Sequence, residues 1–242
     1  MTTFVLVHGT GCGGWIWQKM APLLSVGGHA VFTPTLTGVG ERSHLLNRGV
    51  NLTTHITDIA SLLFYEDLSE VVLVGHSYAG MVITGVAANA PERLKRLVYL
   101  DAYVPDDGQT ESDLWPAGMQ AEIEADEAAD RGLRQPPSLD FLGITDPEMA
   151  AWVKARLTPH PLATYNEPVP VGNAKSAALP RAFIHCLSGP TTPVFAPFAA
   201  KARAGGWEVH ELATGHSAML TMPLEVAELL LELDGARSYH SV

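Results

Sequence analysis

Six short apolar runs, rich in β-branched residues, recur along the chain, most of them separated by segments of helix length. They are FVLVHG (4–9), HAVFTP (29–34), VVLVG (71–75), RLVYLDA (96–102), RAFIHCL (181–187) and WEVHEL (207–212). Most are continuously apolar instead of alternating, the pattern of strands buried on both faces of a parallel sheet. Helices are predicted near 15–26, 53–66, 79–90, 195–204 and 223–234. Strands alternating with helices specify an α/β fold, here a mostly parallel six-stranded sheet with helices on both faces. With 242 residues the chain supports one large domain.

One gap breaks the rhythm. About eighty residues separate Asp101 from Arg181, too many for an ordinary crossover. Within it, residues 106–130 are rich in Asp and Glu and hold no Lys or Arg, so this run reads as a solvated helix face. The segment also carries Trp115, Met119, Phe141, Trp152 and several proline turns. We read 106–180 as a small, mostly helical cap over the C-terminal edge of the sheet, inserted into a core made of 1–105 and 181–242.

Net charge of −11 argues against a nucleic-acid partner, which needs a basic stripe. MTTFVLVHG lacks the pattern of a signal peptide, and no apolar run reaches the roughly 18 residues that span a bilayer. The two cysteines, Cys12 and Cys186, make no disulfide framework; they read as two reduced, buried thiols, with a single disulfide between them as the alternative. The expectation is a cytoplasmic monomer or homodimer without a membrane partner.

The strongest chemical signal is VVLVGHSYAG, Val71 to Gly80, where a buried strand turns sharply into an apolar helix. That is the setting of a nucleophile elbow, with small residues Gly75, Ala79 and Gly80 around Ser77. The pattern departs from G-x-S-x-G at Ala79. Alternatively, Ser77 merely caps the helix. After the first run, HGTGCGGW forms a Gly-rich turn whose Thr10 N–H, with that of Tyr78, would make a two-donor oxyanion hole. An ordinary strand-to-helix turn explains it equally, and a phosphate loop poorly, since G-x-G-x-x-G is absent. The best-placed base is His216, in the loop TGHSAMLTMP after the last strand. His8, His76 and His185 end strands and read as structural or pocket-lining; His210 is mid-strand and His240 lies in the tail.

FVLVHGTGCGGWIWQKMAPLL, GHAVFTPTLTG, VVLVGHSYAGM, LVYLDAYVPDDG and TGHSAMLTMP together resemble the α/β-hydrolase superfamily. The likeness is to its branch of plant methyl-ester esterases and hydroxynitrile lyases. It implies an α/β-hydrolase fold, a Ser77 nucleophile, a His216 base, and oxyanion donors at Thr10 and Tyr78. The lyases carry Thr where this chain has Gly9, and a cyanide-holding Lys where it has Ser217, so the resemblance favours an esterase.

The esterases keep their acid after the penultimate strand, yet Arg181 to Gly206 contains neither Asp nor Glu. The acid is lost, or a Ser or Thr of that loop orients His216, or the acid stands elsewhere. Asp101, ending the strand after the elbow helix, reaches the same sheet edge and keeps the order Ser, Asp, His. It could instead cap the next turn, and Asp106, Asp107 and Glu211 are other possible acids. The expected activity is hydrolysis of a small-molecule carboxylic ester without metal or cofactor. A lyase on the same residues and a small-molecule receptor with weakened catalysis are the rivals. Trp115, Met119 and Trp152 either line an apolar substrate pocket or form cap core.

Overall fold

A computed structural model describes residues 1–129 and 132–235. Asp130 of the acidic run and His240 of the tail lie outside the described residues, as do the side chains of Asp126 and Glu127. The chain lays down β1 (Thr3–Val7), α1 (Ala21–Val26), β2 (Ala30–Phe32), α2 (Leu52–Tyr65), β3 (Val71–His76), α3 (Ala79–Asn89) and β4 (Leu94–Leu100). The insert holds α4 (Ala117–Ala128), β5 (Leu133–Arg134), α5 (Pro147–Lys154), β6 (His160–Pro161) and α6 (Ala174–Ala177). Then come β7 (Arg181–Cys186), α7 (Thr192–Ala204), β8 (Glu208–Leu212), α8 (Ala218–Thr221) and α9 (Pro223–Asp234).

Successive side chains of a strand point to opposite faces, and both faces here are apolar. Phe4 and Leu6 of β1 join Val72, Val74 and Leu100 in a buried cluster against α1 and α9. Val5 and Val7 join Leu73, Leu97 and Phe183 in a second cluster against α2, α3 and α7. Each such side chain contributes about 1.5–3 kcal/mol by leaving water, which is why these runs become central strands.

The sheet order is β2-β1-β3-β4-β7-β8, and every neighbouring pair is parallel. His76 lies opposite Leu100, Leu100 opposite Ile184, and Cys186 opposite Leu212. This register brings the C-terminal ends of β3, β4, β7 and β8 to one edge. The order reverses between β1 and β3, and the crevice outside such a switch point is where α/β sheets place ligands.

Three local expectations change. The predicted helix 15–26 divides into a 3-10 turn, Gly14–Trp17, and the short α1 with Pro22 in its first turn. The insert is not simply helical, because β5 and β6 pair as a two-residue antiparallel ribbon. The acidic run is not uniformly a solvated helix face: Asp106 to Asp113 precede α4, and Glu111 is buried. Cys12 and Cys186 are buried free thiols. Among the described residues, no helix is long and apolar enough to cross a membrane.

Candidate active site

Ser77 follows β3 with φ 57, in the left-handed region that costs an L-residue on the order of 1–3 kcal/mol. Three hydrogen bonds hold it there. Its N–H donates to Leu100 O at 3.3 Å, and its carbonyl accepts the N–H groups of Gly80 at 3.0 Å and Tyr103 at 3.2 Å. The glycines are needed because backbones meet here. A Cβ on Gly75 would lie 2.7 Å from Ala79 O, and one on Gly80 would lie 2.0 Å from Tyr103 O. Ala79, at the last position of the G-x-S-x-G pattern, is fully buried.

The His216 loop leaves β8 and returns to the same edge. His216 Nδ1 lies 2.7 Å from Asp101 Oδ2. The imidazole stacks on Phe195, with ring centroids 4.8 Å apart and planes 11° apart, and meets the edge of Phe141 at 5.4 Å. Its carbonyl accepts from His76 Nε2 at 2.9 Å. The insert braces the backbone on the other side: Ser217 N–H donates to Leu142 O at 3.1 Å, and a Cβ on Gly215 would lie 2.8 Å from the Gly143 Cα.

Asp101 is fully buried with φ 43. Its N–H donates to Ile184 O at 2.7 Å, and its Oδ1 accepts the Cys186 N–H at 3.1 Å. The loop after β7 therefore carries no carboxylate, but the elements on either side of it serve the site. Cys186 at the end of β7 supplies a backbone donor to Asp101, and Phe195 in the first turn of α7 supplies its ring to His216. Burial pushes the Asp101 carboxyl above the usual carboxylate range, opposed by the Cys186 N–H and the nearby His185. Burial holds His216 below the usual imidazole range. A neutral imidazole donating Nδ1–H to Asp101 keeps its Nε2 lone pair for accepting a proton. The other weighed carboxylates are engaged elsewhere: Asp106 pairs with Lys201 at 2.8 Å, Asp107 accepts the Val171 N–H, and Glu211 pairs with Arg203.

The Gly-rich turn after β1 presses on the elbow, since a Cβ on Gly9 would lie 2.9 Å from Ser77 Cβ. Among the described residues, neither the Thr10 N–H nor the Tyr78 N–H is donated to a protein acceptor. The Tyr78 ring turns away into the core, where its hydroxyl meets His55 Nδ1 at 2.8 Å.

Gly9, Thr10, His76, Ser77 and His216 form the floor of a cavity of about 950 Å3. Tyr103, Trp115, Met119, Phe141 and Val194 make its apolar walls, with Glu111, Glu122 and Arg134 as the titratable groups on the insert side. Trp152 is not among the lining residues. Its ring packs edge-on to Trp15 at 5.2 Å and under the Arg156 guanidinium at 4.4 Å, so it joins the insert to the core instead. Sequence reasoning missed Glu111, hidden in an acidic run, and Phe195, whose spacing signalled only a helix. It also missed His55 and His160, which no motif marks.

A profile of the Alpha/beta hydrolase family matches residues 4–229. The carbendazim hydrolyzing esterase of Nocardioides sp. (strain SG-4G) is 40% identical, over 96% of this chain and 100% of that protein. Methylesterase 10 of Arabidopsis thaliana is 28% identical, over 95% of this chain and 90% of that protein. Among solved structures, an extracellular alpha/beta-hydrolase from a Paenibacillus species is described as sharing structural and functional homology with tobacco salicylic acid binding protein 2. It superposes with a TM-score of 0.84 at 26% identity, covering 96% of this chain and 99% of that one.

Proposed function

The chain belongs to the alpha/beta hydrolase family and is a carboxylic-ester hydrolase, and we propose that it cleaves small esters through an acyl-enzyme on Ser77. The observation that carries this reading is the 2.7 Å contact between His216 Nδ1 and Asp101 Oδ2, with His216 and the strained Ser77 both on the floor of one cavity.

His216 Nε2 takes the Ser77 hydroxyl proton as Oγ bonds to the ester carbonyl carbon. The carbonyl electrons move onto oxygen, and the N–H groups of Thr10 and Tyr78 receive that oxyanion. Collapse re-forms the carbonyl and breaks the bond to the alkoxy oxygen, which leaves with the proton from His216. Water then attacks the acyl-enzyme, giving its proton to His216, and Ser77 leaves with that proton. Asp101 fixes the His216 tautomer and stabilises the imidazolium. The insert acts as a cap whose Trp115 and Met119 contact an apolar or aromatic part of the ester. The lyase alternative lacks its cation at the position next to His216, where Ser217 is a buried hydroxyl outside the cavity lining. The buried free thiols fit a cytoplasmic setting.

The test compares wild type, Ser77→Ala and Asp101→Asn on methyl esters, aryl esters and carbendazim, which one relative is named for hydrolysing. Expected losses in kcat are about 10⁴-fold or more for Ser77→Ala and about 10²–10⁴-fold for Asp101→Asn. Undiminished turnover in Asp101→Asn would remove the acid from the mechanism while leaving the serine route. Turnover surviving in Ser77→Ala would sink the whole reading.

A further inference from the structure

Four hydrogen bonds reach the Thr10–Gly11 turn from one stretch of the insert, residues 158–165, the longest from the Thr158 hydroxyl to the Gly11 carbonyl at 3.4 Å. Gly11 donates its N–H to His160 Nδ1 at 3.2 Å, and its carbonyl accepts the Thr158 N–H at 2.9 Å. The Tyr165 hydroxyl donates to Thr10 Oγ1 at 3.1 Å. Gly11 has φ 66, and a Cβ there would lie 2.7 Å from Thr158 O, so turn and insert meet backbone to backbone.

His160 is fully buried between the rings of Tyr78, at 4.7 Å, and Tyr165, at 5.1 Å. Because its Nδ1 accepts a backbone N–H, the ring proton sits on Nε2, and burial keeps the imidazole neutral, well below its usual range. The same histidine thus touches the Tyr78 side chain and the Gly11 backbone, on either side of the two proposed oxyanion donors. The Thr10 N–H direction depends on Thr10 φ. On the Gly9 side, the peptide plane that carries this N–H is held by its carbonyl, which accepts His8 Nδ1–H at 2.9 Å and the Cys12 N–H at 3.3 Å. On the other side, the bonds to Gly11 and to the Thr10 side chain fix where the Thr10 Cα sits, so the angle is pinned only with both sides tied down. A donor fixed before reaction stabilises developing charge without reorganising, and this gain falls on the transition state alone.

We propose that His160 and Tyr165 are positioning residues that hold the Thr10 N–H in line for the oxyanion, so that the insert sets the catalytic geometry as well as covering it. This rests on the reading of Thr10 as an oxyanion donor.

The experiment uses the full chain with His160→Phe, which removes the acceptor, and His160→Asn, whose Oδ1 replaces Nδ1. Tyr165→Phe, Thr10→Val and their double variant form a second series. For each, kcat and KM are measured on an aryl acetate. The affinity of an aryl trifluoromethyl ketone, which adds Ser77 Oγ to its carbonyl and makes an oxyanion, is measured alongside Tm. His160→Phe is expected to lose about 10–100-fold in kcat, with KM within about 3-fold and ketone affinity falling in parallel. His160→Asn should recover most of the loss, and the double variant should be no worse than either single. Wild-type kcat in both His160→Phe and Tyr165→Phe, losses confined to KM, or His160→Asn as impaired as a folded His160→Phe would overturn the proposal. If His160→Phe does not fold, the Tyr165–Thr10 cycle decides: additive losses refute the coupling. Labelling of wild-type Ser77 by a phosphonate keeps the two readings apart. Without labelling or ester turnover the parent assignment fails; with both intact and the variants unaffected, only the positioning role does.

Discussion

Glu111 carries its carboxyl at 2% exposure, with one oxygen accepting the Trp115 indole N–H at 3.1 Å and the other lacking a hydrogen-bond partner among the described residues. A one-dimensional charge count cannot see this, because the acidic residues around it, Asp106, Asp107 and Asp113, are exposed. What buries it is a tight local turn: Thr110 N–H donates to Asp113 Oδ2 at 2.8 Å, and Asp113 N–H returns to Thr110 Oγ1 at 3.1 Å. The turn directs Glu111 inward beside Trp115. Burial then pushes its carboxyl up to about 8, opposed by the Trp115 N–H and the Arg134 charge. Unfolded, a glutamate titrates near 4.3, so between that pH and about 8 the native state holds a proton that the unfolded chain has lost. The contribution of Glu111 to stability therefore falls as pH rises through this window. The buried histidines, held below the usual imidazole range, act with the opposite sign at its lower end, so the Glu111 contribution is read from the difference between wild type and variant. Denaturation followed from pH 5 to pH 9 should show the stability of the wild type falling relative to that of Glu111→Gln, which still accepts the indole N–H. Parallel profiles for the two would mean that Glu111 is ionised in the native state throughout.

At the scale of elements, the strands were legible because burial on both faces leaves continuous apolar runs, and the elbow because its close approaches demand small residues. Gly80 is the sharpest case. Gly80→Ala puts a methyl 2.0 Å from Tyr103 O, a backbone atom that cannot rotate aside. We expect this change to cost about 2 kcal/mol or more and to abolish phosphonate labelling of Ser77. Asn51→Ala provides the contrast. Asn51 caps α2 by accepting the Thr54 N–H at 3.0 Å, with Thr54 Oγ1 returning to the Asn51 N–H. Its loss should cost about 1 kcal/mol in urea unfolding and leave labelling intact. The end of β4 was only partly legible. Chain order brings Asp101 to the right sheet edge, but its positive φ and its Cys186 N–H contact arise from β7, eighty residues later. The ribbon of β5 and β6 was not legible at all, since two-residue strands carry no periodicity.

For the whole molecule, the decisive fact about the insert is that it has no core of its own. Trp115, Ile123, Leu162, Tyr165 and Val169 pack into the cluster of α2, α3 and α7, whereas Leu142, Ile144 and Val153 join the opposite cluster of α1 and α9. Its backbone is tied to the sheet loops at Gly11 through Thr158 and at Ser217 through Leu142. An insert built onto both faces must unfold with the sheet. One element stands apart. In α4 Ile123 is the buried side chain among those described, Gly118 weakens the helix, and Glu124 is exposed. Glu122 is tied to Arg134 of β5 at 2.6 Å by an ion pair whose carboxylate is exposed, a contact that contributes little. Gly118, Met119, Glu122 and Ala125 of this helix nonetheless line the cavity. Few apolar anchors over a ligand cavity are the conditions for sub-global opening. Native-state hydrogen exchange should therefore show α4 amides opening several kcal/mol below the global value, while α5 and the Thr158–Tyr165 stretch exchange together with β3 and β4. Bound trifluoromethyl ketone should slow α4 exchange specifically, because the ligand occupies the cavity which that helix overhangs. Equal protection across the insert, unchanged by the ketone, would mean that α4 is fixed and substrate enters by another route.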